Sequence, residues 1–351
     1  MPDIPFIIDS HLDIGWNASF GRDFYEEIKS SRERVNDGAI YGERLVSLPD
    51  LLDSPVRLVI GTIFTLPKRA ISVVGEGHSF SNAEEAHTQG MWQIDFYNRV
   101  AREQPHVNLI RNRIELNAHL KEINEGTQKL GIMISIEGAD PIRQPDELQQ
   151  WVDKGLRLIG PAWKSNRYCG GTGEPGTLTP LGVELLAEMQ RLGVILDVSH
   201  MAEESFYNAL DAYSGVTIAS HSNCRHIINT DRQLSDDMIR CLLERDTVIG
   251  VVLYDSFLVA KEEGRKATLE DVVRHISHIC ELAGHTRAIG LGTDWDGGFG
   301  AESIPEPLKS LNDLPLVGEE LLKHGFNDND IRNFYHANWL RVFEKGLAQF
   351  D

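Results

Sequence analysis

Short apolar runs of β character alternate along this chain with longer stretches in which apolar residues recur at helical spacing. The runs are Phe6–Asp9, Arg57–Phe64, Gly131–Ile136, Leu156–Pro161, Val194–Val198, Val216–Ala219, Thr247–Leu253 and Ala288–Gly292. They are continuous rather than alternating, which suits strands covered on both faces in a parallel sheet. Helical spacing fills the intervals at Ala83–Glu103, Ile114–Glu125, Thr179–Leu192, Ala202–Tyr213, Ser235–Arg245 and Leu269–Ala283. Thr179-Pro180 supplies a helix start and Gly193 a stop. The last pattern, Asp328–Lys345, puts Ile331, Phe334, Leu340 and Phe343 near one face before Gly346.

Eight strands separated by helices predict an α/β fold, a (β/α)8 TIM barrel with extended loops at its C-terminal face. A doubly wound open sheet is the alternative. The barrel is favoured because ligand-type polar residues follow directly after six of the eight runs. A barrel collects its chemistry at the C-terminal ends of several strands.

Composition narrows this further. The chain has 351 residues, 41 % of them apolar, enough to bury a sizeable core. The length fits one barrel with long rim loops, a single domain across residues 1–351. With 34 basic and 53 acidic side chains the net charge is −19, which argues against nucleic acid or an anionic membrane as partner. Acidic pairs such as Glu84-Glu85, Glu203-Glu204 and Glu319-Glu320 belong on outer helices and serve solubility. No apolar run approaches the ~18 residues of a membrane span, and the first residues do not read as a signal peptide. A chain trimmed of its leader would look the same. Cys169, Cys224, Cys241 and Cys280 are scattered and form no C-x-x-C pair, so a cytoplasmic location is expected.

The candidate chemistry sits at the run ends. Run one ends in Asp9-Ser-His11-Leu-Asp13, run three in Glu137-Gly138, run five in Asp197-Val-Ser-His200, run six in Ser220-His221 and run eight in Thr293-Asp294-Trp-Asp296. Imidazole and carboxylate are ligands of a borderline divalent metal such as zinc. His11 and Asp13, two apart on an extended chain, point to one side and can serve one metal. Three histidines and two carboxylates exceed the needs of one catalytic zinc. A two-metal site bridged by a carboxylate uses all five, and such a pair can hold a bridging hydroxide and polarise a carbonyl. His106, His119, His275, His278, His285, His324 and His336 lie in helical patterns and are expected at surfaces or helix ends. His78 and His87 lie near the long connection after run two. His226 shares a loop with His221 and could face substrate.

As an ordered set these motifs resemble the renal (membrane) dipeptidase family, peptidase family M19, among the amidohydrolase-like metal-dependent hydrolases. The resemblance runs from Asp9-Ser-His-Leu-Asp13 through Ser135-Ile-Glu-Gly138, Leu196-Asp-Val-Ser-His200, Ser220-His-Ser222 and Gly290-Leu-Gly-Thr-Asp-Trp-Asp-Gly297 to Asn338-Trp-Leu-Arg-Val-Phe-Glu344. It implies two Zn2+ per chain, His11 and Asp13 on one, His200 and His221 on the other, and Glu137 between them. It implies that Arg232 contacts the substrate carboxylate, that Asp294 meets the substrate amine or moves a proton, and that Tyr254 lines the pocket. Asp296 more plausibly orients neighbours.

One departure stands out. Where the family carries a histidine near the scissile carbonyl, this chain has Trp163, which offers one donor and no acceptor. The oxyanion would then be stabilised otherwise, through metal with Arg232 or His226, or the preferred substrate is not an ordinary dipeptide. The expected function is a zinc dipeptidase acting on small dipeptides. The alternatives are a two-zinc hydrolase of another small amide, such as an N-acyl amino acid, and an inert metal-binding homologue. The glycine-rich loop Asn166–Gly176 could form a lip. The segments Trp16–Ser47, with Arg22, Arg32, Arg34 and Arg44, and Gly297–Pro315 could frame the mouth. Barrels of this kind often pair, so a homodimer is an option.

Overall fold

The computed structural model describes residues 6–28, 42–71 and 78–350; Arg32 and Arg34 lie outside them. Its eight principal strands are β1 (Ile7–Leu12), β2 (Val56–Phe64), β3 (Leu130–Glu137), β4 (Leu156–Gly160), β5 (Ile195–Asp197), β6 (Thr217–Ile218), β7 (Ile249–Val251) and β8 (Ile289–Leu291). Each coincides with one of the eight apolar runs. Nearly every strand residue is buried, which is why the runs carry no polar alternation.

The chain divides into two compact units, and each is described by itself. Unit 1 comprises Met1–Leu12, Asp23–Val59 and Ala219–Val342; unit 2 comprises Asp13–Arg22, Ile60–Ile218 and Phe343–Asp351. In unit 2 the strand order is β2, β3, β4, β5, β6. The pairings from β3 onward are parallel, with Glu137 opposite Gly160, Ile159 opposite Leu196 and Asp197 opposite Ile218. Parallel order brings the C-terminal ends of these strands to one edge. The helices Ala83–Glu103 and Pro180–Leu192 connect strands of this sheet. Thr179 caps the second by accepting from the Gly182 N–H, and Gly193 ends it in the left-handed region at φ 74°.

In unit 1, β7 and β8 pair in parallel through Ile249–Ile289, Gly250–Gly290 and Val251–Leu291. The Gly250 N–H donates to Ala219 O at 2.8 Å, continuing the ladder beyond β7. Ser10 on β1 donates its hydroxyl to both Ser220 O (2.5 Å) and Leu291 O (2.9 Å). Glycines permit this approach. An ideal Cβ on Gly292 would overlap the Ser220 carbonyl oxygen and lie 2.6 Å from Ser10 Oγ; Gly250 meets the same two groups. Gly292→Ala is therefore expected to cost about 1–3 kcal/mol, as overpacking of a rigid backbone does. It should also displace the segment that carries His221. Thermal melts and turnover of the variant check this, and an alanine protein as stable and active as wild type would refute it.

Two helical expectations are corrected. The pattern Asp328–Lys345 is helical throughout but not uniformly α-helical: a π-helical turn at Asn333–Ala337 lies between Asp328–Arg332 and Asn338–Leu347. A π turn inserts an extra residue into the helical count. The buried face past it therefore falls on Trp339 and Phe343, while Leu340 is half-exposed.

His119, His275 and His336 are also buried rather than at surfaces. His275 accepts the Cys224 N–H on Nδ1 at 3.0 Å. Burial, with the Arg274 charge next, pulls it from 6.5 down to about 3. The unfolded chain therefore takes up a proton below about pH 6.5 that the folded chain refuses. The stability His275 contributes is complete above that pH and is lost as pH falls from about 6.5 toward 3, at up to about 1.4 kcal/mol per pH unit. His275→Gln should flatten the fall in urea midpoint between pH 7 and pH 5. An unchanged slope would contradict the assignment.

Candidate metal and substrate site

The unit 1 group grows from the ends of β1, β6 and β8. Asp9 on β1 accepts the Thr293 N–H (2.9 Å) and hydroxyl (2.6 Å), fixing the start of the β8 loop. His11 is buried, and its ring stacks on that of His221, centroids 3.7 Å apart. Ser220 Oγ lies 2.7 Å from His221 Nδ1 and 3.5 Å from His11 Nδ1. One hydroxyl therefore orients the His221 ring from its Nδ1 side, as outer partners of ligating histidines do. His11 Nε2 stands 3.9 Å from Asp294 Oδ1.

Charge in this group is governed by burial. Desolvation, followed by the Arg232 charge, pushes His11 down to about 3. Desolvation raises Asp294 to about 7 against the opposing pull of Arg232, with Asp9 adding to the rise. Asp9 itself is raised to about 6 by burial. A neutral imidazole is the form that donates a lone pair to a metal. Arg232 is buried: its Nη2 donates to His221 O at 2.6 Å and its guanidinium lies 5.1 Å from the Phe257 ring centroid. Tyr254 is half-buried and stacks on Phe299 at 4.2 Å.

Both oxygens of Asp296 accept backbone N–H groups, from Leu45 and Val46, each at 2.9 Å. Glu302 likewise accepts the Glu43 N–H (2.8 Å) and the Gly300 N–H (3.0 Å). The two long segments expected to frame a mouth are thus tied together through residues 43–46 and 296–302. Arg44 is occupied with the carbonyls of Asp23, Glu26 and Val46.

In unit 2, Glu137 ends β3 and His200 follows β5. His200 Nε2 lies 3.0 Å from Glu137 Oε1. Its Nδ1 is 2.9 Å from Thr172 Oγ1, in the glycine-rich loop. That loop therefore holds an imidazole as well as forming surface. Trp163 sits 6.4 Å from the His200 ring and meets Phe64 edge-on at 5.0 Å; Phe64 in turn contacts Trp16 at 5.2 Å. Asp13 precedes the helix Ile14–Ser19, which is anchored where the Gly15 N–H donates to Tyr97 OH at 2.8 Å.

Backbone conformation marks the same residues. Among the described residues four non-glycine residues have positive φ, and three of them are His200 (66°), Asp294 (60°) and Asp296 (63°). The left-handed region costs such residues about 1–2 kcal/mol each, and strain of this kind clusters where function holds it. The roles of Ser220 and Thr172 and this strain were not predicted; only Ser220, adjacent in sequence to His221, could have been hinted at. His226 is exposed and its ring stacks on His278 at 4.6 Å.

The donor chemistry fits a divalent metal: imidazoles, at least one of them held neutral, and buried carboxylates on strand ends. The family description "Membrane dipeptidase (Peptidase family M19)" matches residues 3–349. An uncharacterized dipeptidase of Schizosaccharomyces pombe is 30 % identical over 268 residues, 74 % of this chain and 63 % of that protein. The matched stretch thus spans under two-thirds of that relative's length. Among solved structures, dipeptidase AC, a metallopeptidase of family M19, superposes with a TM-score of 0.80 at 23 % identity, covering 98 % of this chain and 99 % of that one. A Rhodobacter sphaeroides metallopeptidase, liganded with a phosphinate mimic of the dipeptide L-Ala-D-Ala, gives 0.82 at 22 %, covering 98 % and 100 %. At that identity the likeness shows the fold alone, an α/β fold with a parallel sheet, consistent with the (β/α)8 barrel read from the strand runs. From the family match across nearly its whole length, this chain belongs to the membrane dipeptidase family M19, a family of metallopeptidases.

Proposed function

We propose that this protein is a zinc-dependent dipeptidase and that residues 1–351 work as one catalytic domain. Two zinc ions would be held by His11, Asp13, Glu137, His200 and His221, with Glu137 shared. What carries the reading is that all five donor residues stand at or just past strand ends in a chain matching the family over residues 3–349. When bound, such ions polarise the scissile carbonyl and acidify water.

The chain's own residues supply the rest. Arg232 takes the substrate carboxylate, for which a guanidinium fork is shaped. Asp294, raised to about 7, holds the substrate ammonium or carries a proton on Oδ1 between water and the leaving amine. Tyr254 and Trp163 would contact the substrate; Trp163 stands beside His200, ring centroids 6.4 Å apart. Clamping both charged ends of a dipeptide shuts out longer chains. All four cysteines are free thiols. Among the described residues no helix is long and apolar enough to cross a membrane.

A library of free dipeptides and their N-acyl counterparts, assayed with metal content measured on the same sample, tests this. Chelation should abolish hydrolysis and zinc should restore it, with free dipeptides preferred. Preference for N-blocked substrates would count against the ammonium role of Asp294 and favour an N-acyl amino acid hydrolase. About two zinc ions per chain without any hydrolysis would leave an inert binding protein.

A further inference from the structure

A second group of metal-type donors lies within unit 1 and has no part in the proposed hydrolysis. It comprises His226, in the loop between β6 and the helix Asp236–Leu243, Asp236 at that helix's first position, and His278 on the helix Leu269–Ala283. One ligand atom from each lies within 4.8 Å of the other two. The rings of His226 and His278 are nearly parallel, 8° apart with centroids at 4.6 Å. His278 Nε2 lies 2.8 Å from Asp236 Oδ1. We propose that these three side chains form a separate binding site for a borderline divalent cation, Zn2+ in the first instance.

Three observations favour this over a plain surface ion pair. The donors come from three different segments, so nothing in local sequence forces two imidazoles face to face beside a carboxylate. Two nitrogens and one oxygen suit zinc, nickel or copper rather than calcium or magnesium, which prefer all-oxygen cages. His226 is exposed and the other two half-exposed, so water can complete a four-coordinate shell and the ion can enter from solvent. The competing cation is Arg240, whose Nη2 is 4.0 Å from Asp236 Oδ2, but its Nη1 pairs more closely with Asp237 at 2.8 Å.

The site would act as a staple. His226 belongs to the loop that also carries His221 and Arg232, and a bound ion would fasten it to two helices. Cation binding to the folded chain alone raises stability by mass action.

The test uses the purified protein with its tighter sites already loaded. Wild type and His226→Gln are dialysed against excess Zn2+ and their bound zinc is measured, followed by melting curves with and without Zn2+. His226 is exposed, so its replacement leaves the fold intact; a His226→Gln/His278→Gln double variant serves as a second comparison. The expected result is about one fewer zinc per chain in both variants, and a Zn2+-dependent rise in melting temperature that only wild type shows. Equal zinc content in wild type and His226→Gln overturns the proposal. So does a lower melting temperature in the variants with no difference in bound zinc, the mark of a merely structural His278–Asp236 contact.

Discussion

Glu137→Gln is expected to lower kcat by three orders of magnitude or more while the protein stays folded. Losing an outer partner of a ligating residue already costs 10–100-fold in metal affinity or activity, and Glu137 is proposed as the ligand shared by both ions. Glutamine keeps the shape of the side chain and its place at the end of β3 but loses the charge and one acceptor oxygen. The His200 contact at 3.0 Å then faces an amide, which binds zinc poorly. The fold should persist, but the melting temperature of the zinc-loaded protein should fall with the lost ion, because cation binding to the folded chain stabilises it. Zinc content should drop by about one ion per chain. His200 is better tested as asparagine than as alanine, since asparagine tolerates its φ of 66° and any loss then reports on the imidazole alone. Wild-type turnover by a folded, metal-loaded Glu137→Gln protein would sink the shared-ligand assignment.

The strands were legible because each is an unbroken apolar run, and a strand buried on both faces leaves that mark on the sequence. The proposed donors stand out in the sequence because they close those runs: Glu137 ends β3, and His11 and Asp13 sit at or just past the end of β1. Their supports do not. Thr172 reaches His200 across 28 positions and Asp296 reaches Leu45 across 251, contacts that only the folded topology creates. The positive φ of Asp294 leaves no trace in residue type, because aspartate occupies many conformations. Helical spacing placed His275 on a helix but could not show how completely its face is covered, nor that its partner is the backbone N–H of Cys224. The π turn escaped notice because one added residue moves the buried positions only one step along the chain, to Trp339 and Phe343, without breaking the apolar pattern.

Replacing Arg232 should erase the enzyme's preference for a free C-terminal carboxylate. If its guanidinium clamps that group, wild type should cleave a dipeptide far better than the matching dipeptide amide. Truncating one partner of a buried charge pair costs about 2–5 kcal/mol, roughly 30-fold to several thousandfold in kcat/KM. Arg232 has a second duty, however, since it donates to His221 O at 2.6 Å. A simple fall in activity would therefore mix lost substrate binding with a loosened His221. The ratio of dipeptide to amide turnover separates them, because a displaced His221 slows both substrates alike. Arg232→Lys keeps the charge but loses the planar fork, so it should retain part of the selectivity. Arg232→Met should lose all of it, with the larger change in KM for the dipeptide. If Arg232→Met is slow but still prefers the carboxylate by the wild-type ratio, Arg232 positions His221 only, and the clamp must be sought elsewhere.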